Sequence, residues 1–195
     1  MRRLRTTASR TEQETAILEA AAEEVALVGV GRMNMDVVAR QAGVSRSTLY
    51  RRFPSRDALI TELGRQTFEF AMNRLQTVAI DAGPRAAAVA AFREGVRLLT
   101  GEPVMRRFLQ LDGDFTATTE MVAEARIFLL SAATAMAKAL RAAGAAMPDD
   151  ALLAVSDMHI RLAASLVQVS SPVLDVDDDP AVSAYAQTHL APLVY

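Results

Sequence analysis

The sequence predicts an all-α protein with a small N-terminal head of three helices and a larger helical domain after it. Apolar residues make up 51 % of the 195 residues and aromatic residues only 5 %. Alanine and other strong helix formers dominate, and runs of β-branched residues are scarce, which favours helices over strands. Apolar residues also recur at intervals of three and four, which is typical of amphipathic helices.

The first helix is predicted from Thr11 to about residue 28, after a flexible basic arm over residues 1–10. Ile17, Ala21 and Val25 recur at near-helical spacing and form one apolar face. Gly29 follows the last residue of this pattern, where glycine commonly ends a helix. The head therefore begins with a helix that buries one side.

Two short helices are predicted next, over about 35–41 and 46–52. Asn34 and Ser45 precede them, and both residue types are favoured N-caps. Gly43 ends the first short helix, so the two are joined by a turn of about three residues. This is the pattern of a helix-turn-helix.

The second short helix is predicted to present a polar, basic and aromatic surface. Leu49 and Phe53 lie four residues apart and should face the core. Ser47 and Arg51 then point the opposite way, with Tyr50 on the flank. An outward face of this composition suits a polyanion.

Charge is distributed unevenly along the chain. Residues 1–57 carry ten arginines against seven acids, a net +3, whereas residues 58–195 carry eleven bases against sixteen acids, a net −5. Within 32–56, six arginines face Asp36 alone, a net +5. A basic patch on an acidic protein indicates a nucleic-acid site, although a solvated surface is the alternative.

The rest of the chain is predicted to form longer helices punctuated by glycine and proline. We place them near 56–80, 85–99, 103–110, 119–143, 149–171 and 179–191. The predicted segments are therefore the arm over 1–10, the helix-turn-helix head over 11–55, and a larger helical domain over 56–195.

The run from Val38 to Leu59, V-A-R-Q-A-G-V-S-R-S-T-L-Y-R-R-F-P-S-R-D-A-L, closely resembles the DNA-binding signature of the tetracycline-repressor (TetR) family. The resemblance spans about residues 11–63. It implies a homodimeric regulator, most often a repressor, that binds palindromic operator DNA and is released by a small, largely apolar effector. Four positions depart from the family pattern: Asn34 stands for threonine, Ser47 for glycine or alanine, Arg52 for histidine and Arg56 for lysine.

The resemblance and the basic patch together define the predicted DNA-binding residues. Arg46 and Arg51 are candidates for reading guanine, with phosphate contact as the alternative. Asp36 either satisfies the helix dipole or accepts from a cytosine amino group. Family positions that match Thr48, Tyr50, Arg52 and Arg56 bind phosphate. The full set is Asn34, Ser45, Arg46, Ser47, Thr48, Tyr50, Arg51, Arg52 and Arg56. Arg2, Arg3 and Arg5 of the arm either reach a neighbouring groove or make no DNA contact.

The resemblance also implies that residues 11–55 are the DNA-binding domain and residues 56–195 a ligand-binding and dimerisation domain, with an effector pocket and a dimer interface. Residues with the right chemistry for the pocket are Phe68, Met72, Phe92, Met105, Phe108, Phe115, Phe128, Met136 and His159, and an ordinary core is the alternative for each. His159 is either a polar handle for the ligand or a structural residue. The predicted interface comprises Leu152, Val155, Leu162, Leu166, Val169 and Tyr185, which the sequence alone does not separate from core.

Other classes of function have little support in the sequence. The chain has no cysteine and two histidines, and neither histidine stands in a recognisable catalytic spacing. We therefore expect no enzyme, no cofactor and no metal site.

We also expect a cytoplasmic protein without a membrane segment. The alternatives to a ligand-responsive repressor are a helical adaptor protein and a transcriptional activator without an inducer pocket.

Overall fold

A computed structural model of the chain describes residues 9–76, 83–109 and 119–195, with only the backbone described for Gln76 and 119–125. Every regular element in these ranges is helical, so the predicted all-α class is confirmed. The elements are α1 (Arg10–Val28), α2 (Met35–Gln41), α3 (Arg46–Arg52), α4 (Arg56–Gln76), α5 (Pro84–Gly101), α6 (Pro103–Leu109), α7 (Thr119–Ala142), α8 (Asp149–Gln168) and α9 (Asp179–Tyr185). A π-helical turn (Ala186–Leu190) and a 3-10 turn (Ala191–Leu193) follow α9.

Local capping explains where the observed helices begin and end. Helix α1 starts one residue earlier than predicted, because Ser9 and Glu12 form a capping box in which each side chain accepts from the other's backbone N–H. Helix α8 ends at Gln168 instead of 171, where Val169 adopts extended backbone angles. Helix α9 ends at Tyr185, and the chain continues to Leu193 in other helical forms. The predicted ends of α4 and α6 lie outside the described residues.

The described residues belong to two compact units: 9–66 in the first, and 67–76, 83–109 and 119–195 in the second. The first unit contains the helix-turn-helix. Its core consists of side chains from four helices that are fully buried, namely Ile17, Val25, Val38, Leu49 and Leu59. Burial of each such side chain contributes about 1.5–3 kcal/mol. The core therefore fixes which side of α3 faces outward.

The second unit is held by two apolar clusters on α8 and its neighbours α5 and α7. One cluster includes Ala88, Met136, Leu140 and Leu152. The other includes Phe92, Val96, Ala163, Leu174 and Val182. Leu152 was predicted at a dimer interface, but it is 1 % exposed. It packs inside the chain's own core and is not available to a partner.

Two features are absent from the described ranges. None of the helices there combines the length and the apolar character needed to cross a membrane. In the same ranges no three acidic or histidine side chains come together in a way that could hold a metal ion.

Candidate nucleic-acid interface

The turn between α2 and α3 depends on a glycine. Gly43 has a φ of +65°, a left-handed conformation that side chains rarely adopt. Its N–H donates to the carbonyl of Arg40 at 3.2 Å, and the N–H of Val44 donates to the carbonyl of Ala39 at 3.0 Å. These bonds end α2 and reverse the chain within three residues, as the sequence predicted.

Side-chain caps fix the starts of both short helices, as predicted. Asn34 Oδ1 accepts from the N–H of Asp36 at 2.8 Å. Ser45 Oγ accepts from the N–H of Thr48 at 3.1 Å. The Ser45 hydroxyl also lies 2.9 Å from the hydroxyls of both Ser47 and Thr48. Ser45 is therefore a helix cap that also orders the hydroxyls at the start of α3.

Helix α3 presents the face that the sequence predicted. Leu49 and Phe53 are buried, whereas Arg46, Ser47 and Arg51 are exposed. Tyr50 remains 48 % exposed although it is a large aromatic residue. The outward surface of α3 is therefore basic and aromatic, with hydroxyl groups at its N-terminal end.

Arg46 makes an ion pair with Asp36 across the turn. Neither of the two roles considered for Asp36 from the sequence included this contact. The pair places a carboxylate beside the first residue of α3, within the predicted DNA surface.

Arg52 and Arg56 direct their guanidinium groups toward the protein. Arg52 donates to Gln13 Oε1 of α1 at 3.0 Å, and its Nε is buried without a hydrogen bond to any described residue. Arg56 donates to the carbonyls of Val30 and Met33, which link α1 to α2. Both side chains are half-buried. They fasten the three-helix head together, and their predicted phosphate contacts remain a prediction.

Two arginines of the basic patch are exposed, and their guanidinium groups make no hydrogen bond or ion pair within the described ranges: Arg40 and Arg51. Arg32 is also exposed, but it caps α1 by donating to the Val28 carbonyl at 3.0 Å. Arg40 was not among the predicted DNA-binding residues. The sequence signal that could have identified Arg40 was its place among the six arginines of residues 32–56. In the structure it lies on the solvent side of α2.

The second unit brings two predicted pocket residues together. The ring of Phe92 meets His159 edge-on, with centroids 6.3 Å apart. His159 is 1 % exposed, and its Nδ1 lies 2.7 Å from the carbonyl of Val155. Its Nε2 is buried and has no hydrogen-bond partner among the residues that the structure describes. Burial lowers the pKa of His159, and the bond to Val155 opposes that shift.

The remaining predicted pocket residues do not gather around His159 as one group. Phe68 and Phe128 contact each other, with ring centroids 3.4 Å apart. Met136 belongs to the cluster of Leu152, and Met105 packs in a third cluster with Ala71 and Leu98. Met72 and Phe108 are half-buried. Phe115 lies outside the described residues, as do the arm arginines.

Most of the predicted interface residues pack within the chain itself. Val155, Leu162, Leu166 and Tyr185 are half-buried against the two apolar clusters. Val169 is 72 % exposed at the end of α8. Met158 on α8 is another exposed apolar residue, which the sequence analysis did not select. The exposed part of α8 is thus narrower than the predicted set.

The head matches a known family. Residues 17–63 match the family model described as bacterial regulatory proteins, tetR family. The matched segment begins in α1 and ends in α4, so it contains the whole helix-turn-helix. The resemblance deduced from the Val38–Leu59 motif is therefore confirmed.

Relatives extend the similarity over most of the chain. A protein of Mycobacterium tuberculosis strain H37Rv, named an uncharacterized HTH-type transcriptional regulator, is 28 % identical over 173 residues, which are 89 % of each chain. A transcriptional regulator from Rhodococcus sp. has a similar structure, with a TM-score of 0.67 at 19 % identity over 93 % of this chain and 97 % of its own. NalD, the secondary repressor of the MexAB-OprM multidrug efflux pump in Pseudomonas aeruginosa, has a TM-score of 0.60 at 21 % identity over 94 % and 96 %.

Proposed function

We propose that this chain, a transcriptional regulator of the TetR family, represses its target genes by binding a palindromic operator as a homodimer and releases it when an effector binds. The observation that carries the proposal is the exposed face of α3. Tyr50 and Arg51 stand in solvent there, whereas the apolar side of the same helix is buried. A short helix held in this way fits the major groove of DNA.

The outward side chains divide into two roles on DNA. Arg40, Tyr50 and Arg51 are exposed donors that suit phosphate oxygens, which fix the register of the protein without reading sequence. Arg46, at the start of α3, suits a guanine edge, since a guanidinium bridges O6 and N7. The hydroxyls of Ser47 and Thr48 complete the proposed surface.

The small size of this surface supports a homodimer. Helix α3 has seven residues, and one such helix touches only a few base pairs. Two heads related by a two-fold axis would contact half-sites about 34–36 Å apart, one turn of DNA. The proposed interface lies along α8 and its C-terminal end: Met158 is an exposed apolar residue of the helix, and Val169 is another directly after it.

The test is binding of the full chain to duplexes from the region upstream of its own gene, measured by fluorescence anisotropy over a series of salt concentrations. Affinity should fall steeply with salt, since each phosphate contact releases counterions. Arg51→Ala should weaken binding to every duplex and lower the salt slope by about one. Arg97→Ala removes an exposed arginine of α5 and should change neither quantity. A monomer that binds no duplex in dilute salt would refute the proposal.

An effector site is proposed around His159. A carbonyl only accepts hydrogen bonds, so Nδ1 carries a proton and donates to Val155. Burial keeps the ring neutral, which leaves Nε2 as an acceptor without a donor. A buried polar atom in this state costs about 1–3 kcal/mol. An apolar effector with one hydroxyl or N–H group would donate a hydrogen bond to Nε2, whereas a carboxylate only accepts and would not.

Paired compounds test this part. Aromatic or aliphatic alcohols are compared with their methyl ethers, and both the thermal shift and the release of DNA are measured. Alcohols should stabilise the wild type more than their ethers do, and His159→Phe should remove the difference. If no compound changes DNA affinity, the alternative of a regulator without an inducer pocket is favoured.

A further inference from the structure

A carboxylate stands beside the arginine that is proposed to read a base. Asp36 lies in the first turn of α2, and Arg46 is the first residue of α3. Their side chains form an ion pair and are 46 % and 70 % exposed, respectively. The pair therefore lies at the surface, where other molecules can reach it.

The choice of partner is unusual for Asp36. Arg40 lies four residues later on the same helix, a spacing at which acid and base commonly pair. Asp36 nevertheless pairs with Arg46 across the turn, and the Arg40 guanidinium has no ion-pair partner among the described residues. Both members of the pair are anchored, since Asn34 caps the helix of Asp36 and Ser45 caps the helix of Arg46.

Stability alone is a weak reason for such a pair. Exposed ion pairs typically contribute about 0–1 kcal/mol. The pair does, however, restrict the position of a long side chain that is otherwise free in solvent. It also places a negative charge on a surface that is proposed to face phosphates. A role in geometry explains both features better than a role in stability.

We propose that Asp36 is a positioning residue that holds the Arg46 guanidinium toward a guanine edge and keeps it away from phosphates. This inference rests on the proposed function. A guanidinium has five N–H donors, so the carboxylate leaves enough of them to bridge O6 and N7 of guanine. The same carboxylate repels phosphate oxygens, which makes the paired arginine a poor phosphate ligand.

Removing the carboxylate should therefore have two effects of opposite sign. The guanidinium becomes free to reach a phosphate, so affinity for unrelated DNA rises and its salt slope steepens by about one. The preference for guanine at one position of each half-site falls, by at least about fivefold in relative affinity. A residue with only a structural role would not produce this combination.

The experiment uses the full chain and the duplex that the wild type binds. Each base pair of one half-site is changed to the other three, and affinities are measured for wild type, Asp36→Ala, Arg46→Ala and the double variant. Asp36→Asn serves as a variant of nearly the same shape without charge, in case the alanine variant does not fold. Asp57→Ala removes another exposed first-turn acid of the head, one that lies near Arg56. Thermal unfolding confirms that each variant is folded.

The inference predicts that Asp36→Ala and Arg46→Ala flatten the preference at the same base pair, and that the double variant flattens it no further. Asp57→Ala should keep the wild-type profile. If Asp36→Ala changes affinity for all duplexes equally and leaves the profile intact, the positioning role is wrong, although the proposed function stands. If the wild type itself binds no duplex, the proposed function fails first.

Discussion

The two units of the molecule differ in the polar groups that each offers to its proposed partner. In the head, arginines of a basic surface are fastened to the protein itself: Arg46 to Asp36, Arg52 to Gln13, and Arg56 to two backbone carbonyls. In the second unit, His159 is buried beside Phe92, and its Nε2 has no hydrogen-bond partner among the described residues. The head thus holds positive charges in fixed positions, whereas the second unit has a neutral acceptor in its core.

This difference suggests how each unit recognises its proposed partner. A DNA duplex presents a fixed pattern of phosphates and base edges, so side chains held in place lose little freedom on binding. A buried acceptor favours any molecule that brings both an apolar body and a donor. The head therefore selects its proposed partner by the positions of its side chains, and the second unit selects by the chemical groups that a ligand carries.

The largest expected effect concerns the core of the head. Leu49→Ala should lower the free energy of unfolding by about 2–5 kcal/mol, because a fully buried leucine leaves a cavity when truncated. Leu27→Ala in the same unit is the matched control, since Leu27 is 73 % exposed, and should change stability by less than about 0.5 kcal/mol. Chemical denaturation measures both. Equal effects of the two variants would contradict the orientation of α3.

A smaller effect is expected at Arg56, the half-buried first residue of α4. Arg56→Ala should lower the free energy of unfolding by about 1–3 kcal/mol, because the carbonyls of Val30 and Met33 lose a charged donor. Arg51→Ala has no such partner to lose and should be near neutral. If Arg56→Ala leaves the melting temperature unchanged but lowers the affinity for every duplex, the guanidinium binds DNA phosphate instead of the two carbonyls.

The smallest expected effect is a dependence of stability on pH. Burial lowers the pKa of His159, so the unfolded chain binds its proton more readily than the folded chain. Stability should therefore fall as the pH drops below about 6.5, the ordinary histidine pKa. His159→Phe should remove this part of the pH dependence in thermal unfolding between pH 5 and 8, and the exposed His189→Gln should not. An unchanged profile in His159→Phe would show that the ring is not held neutral.

The sequence was sufficient for the head because its signals are local. Asn34, Gly43 and Ser45 act within a few residues of their own positions, so the caps and the turn were predictable. The partners of the arginines were not, since Arg52 and Gln13 lie 39 residues apart. Only the folded head brings them together.

The second unit was predictable in its helices but not in the grouping of its side chains. Helical spacing identifies an apolar face, and this was enough to place α5, α7 and α8. Helical spacing does not show which helix, of this chain or of a partner, that apolar face packs against. Leu152 therefore looked as suitable for a partner as for the core, and Met136 as suitable for a pocket as for packing. The sequence identified His159 as a polar group. Only the folded chain, with Phe92 and Val155 beside the ring, shows that Nε2 has no hydrogen-bond partner among the described residues.

The ion pair across the turn also constrains how a new target sequence could evolve. A change at Arg46 alone leaves Asp36 as an unbalanced negative charge facing phosphates, so the first step toward a new operator would weaken binding to every sequence. A change at Asp36 alone relaxes selectivity before any new preference exists. Divergence at this site is therefore expected to require compensating substitutions at both positions, with the relaxed Asp36 variant as the more accessible intermediate.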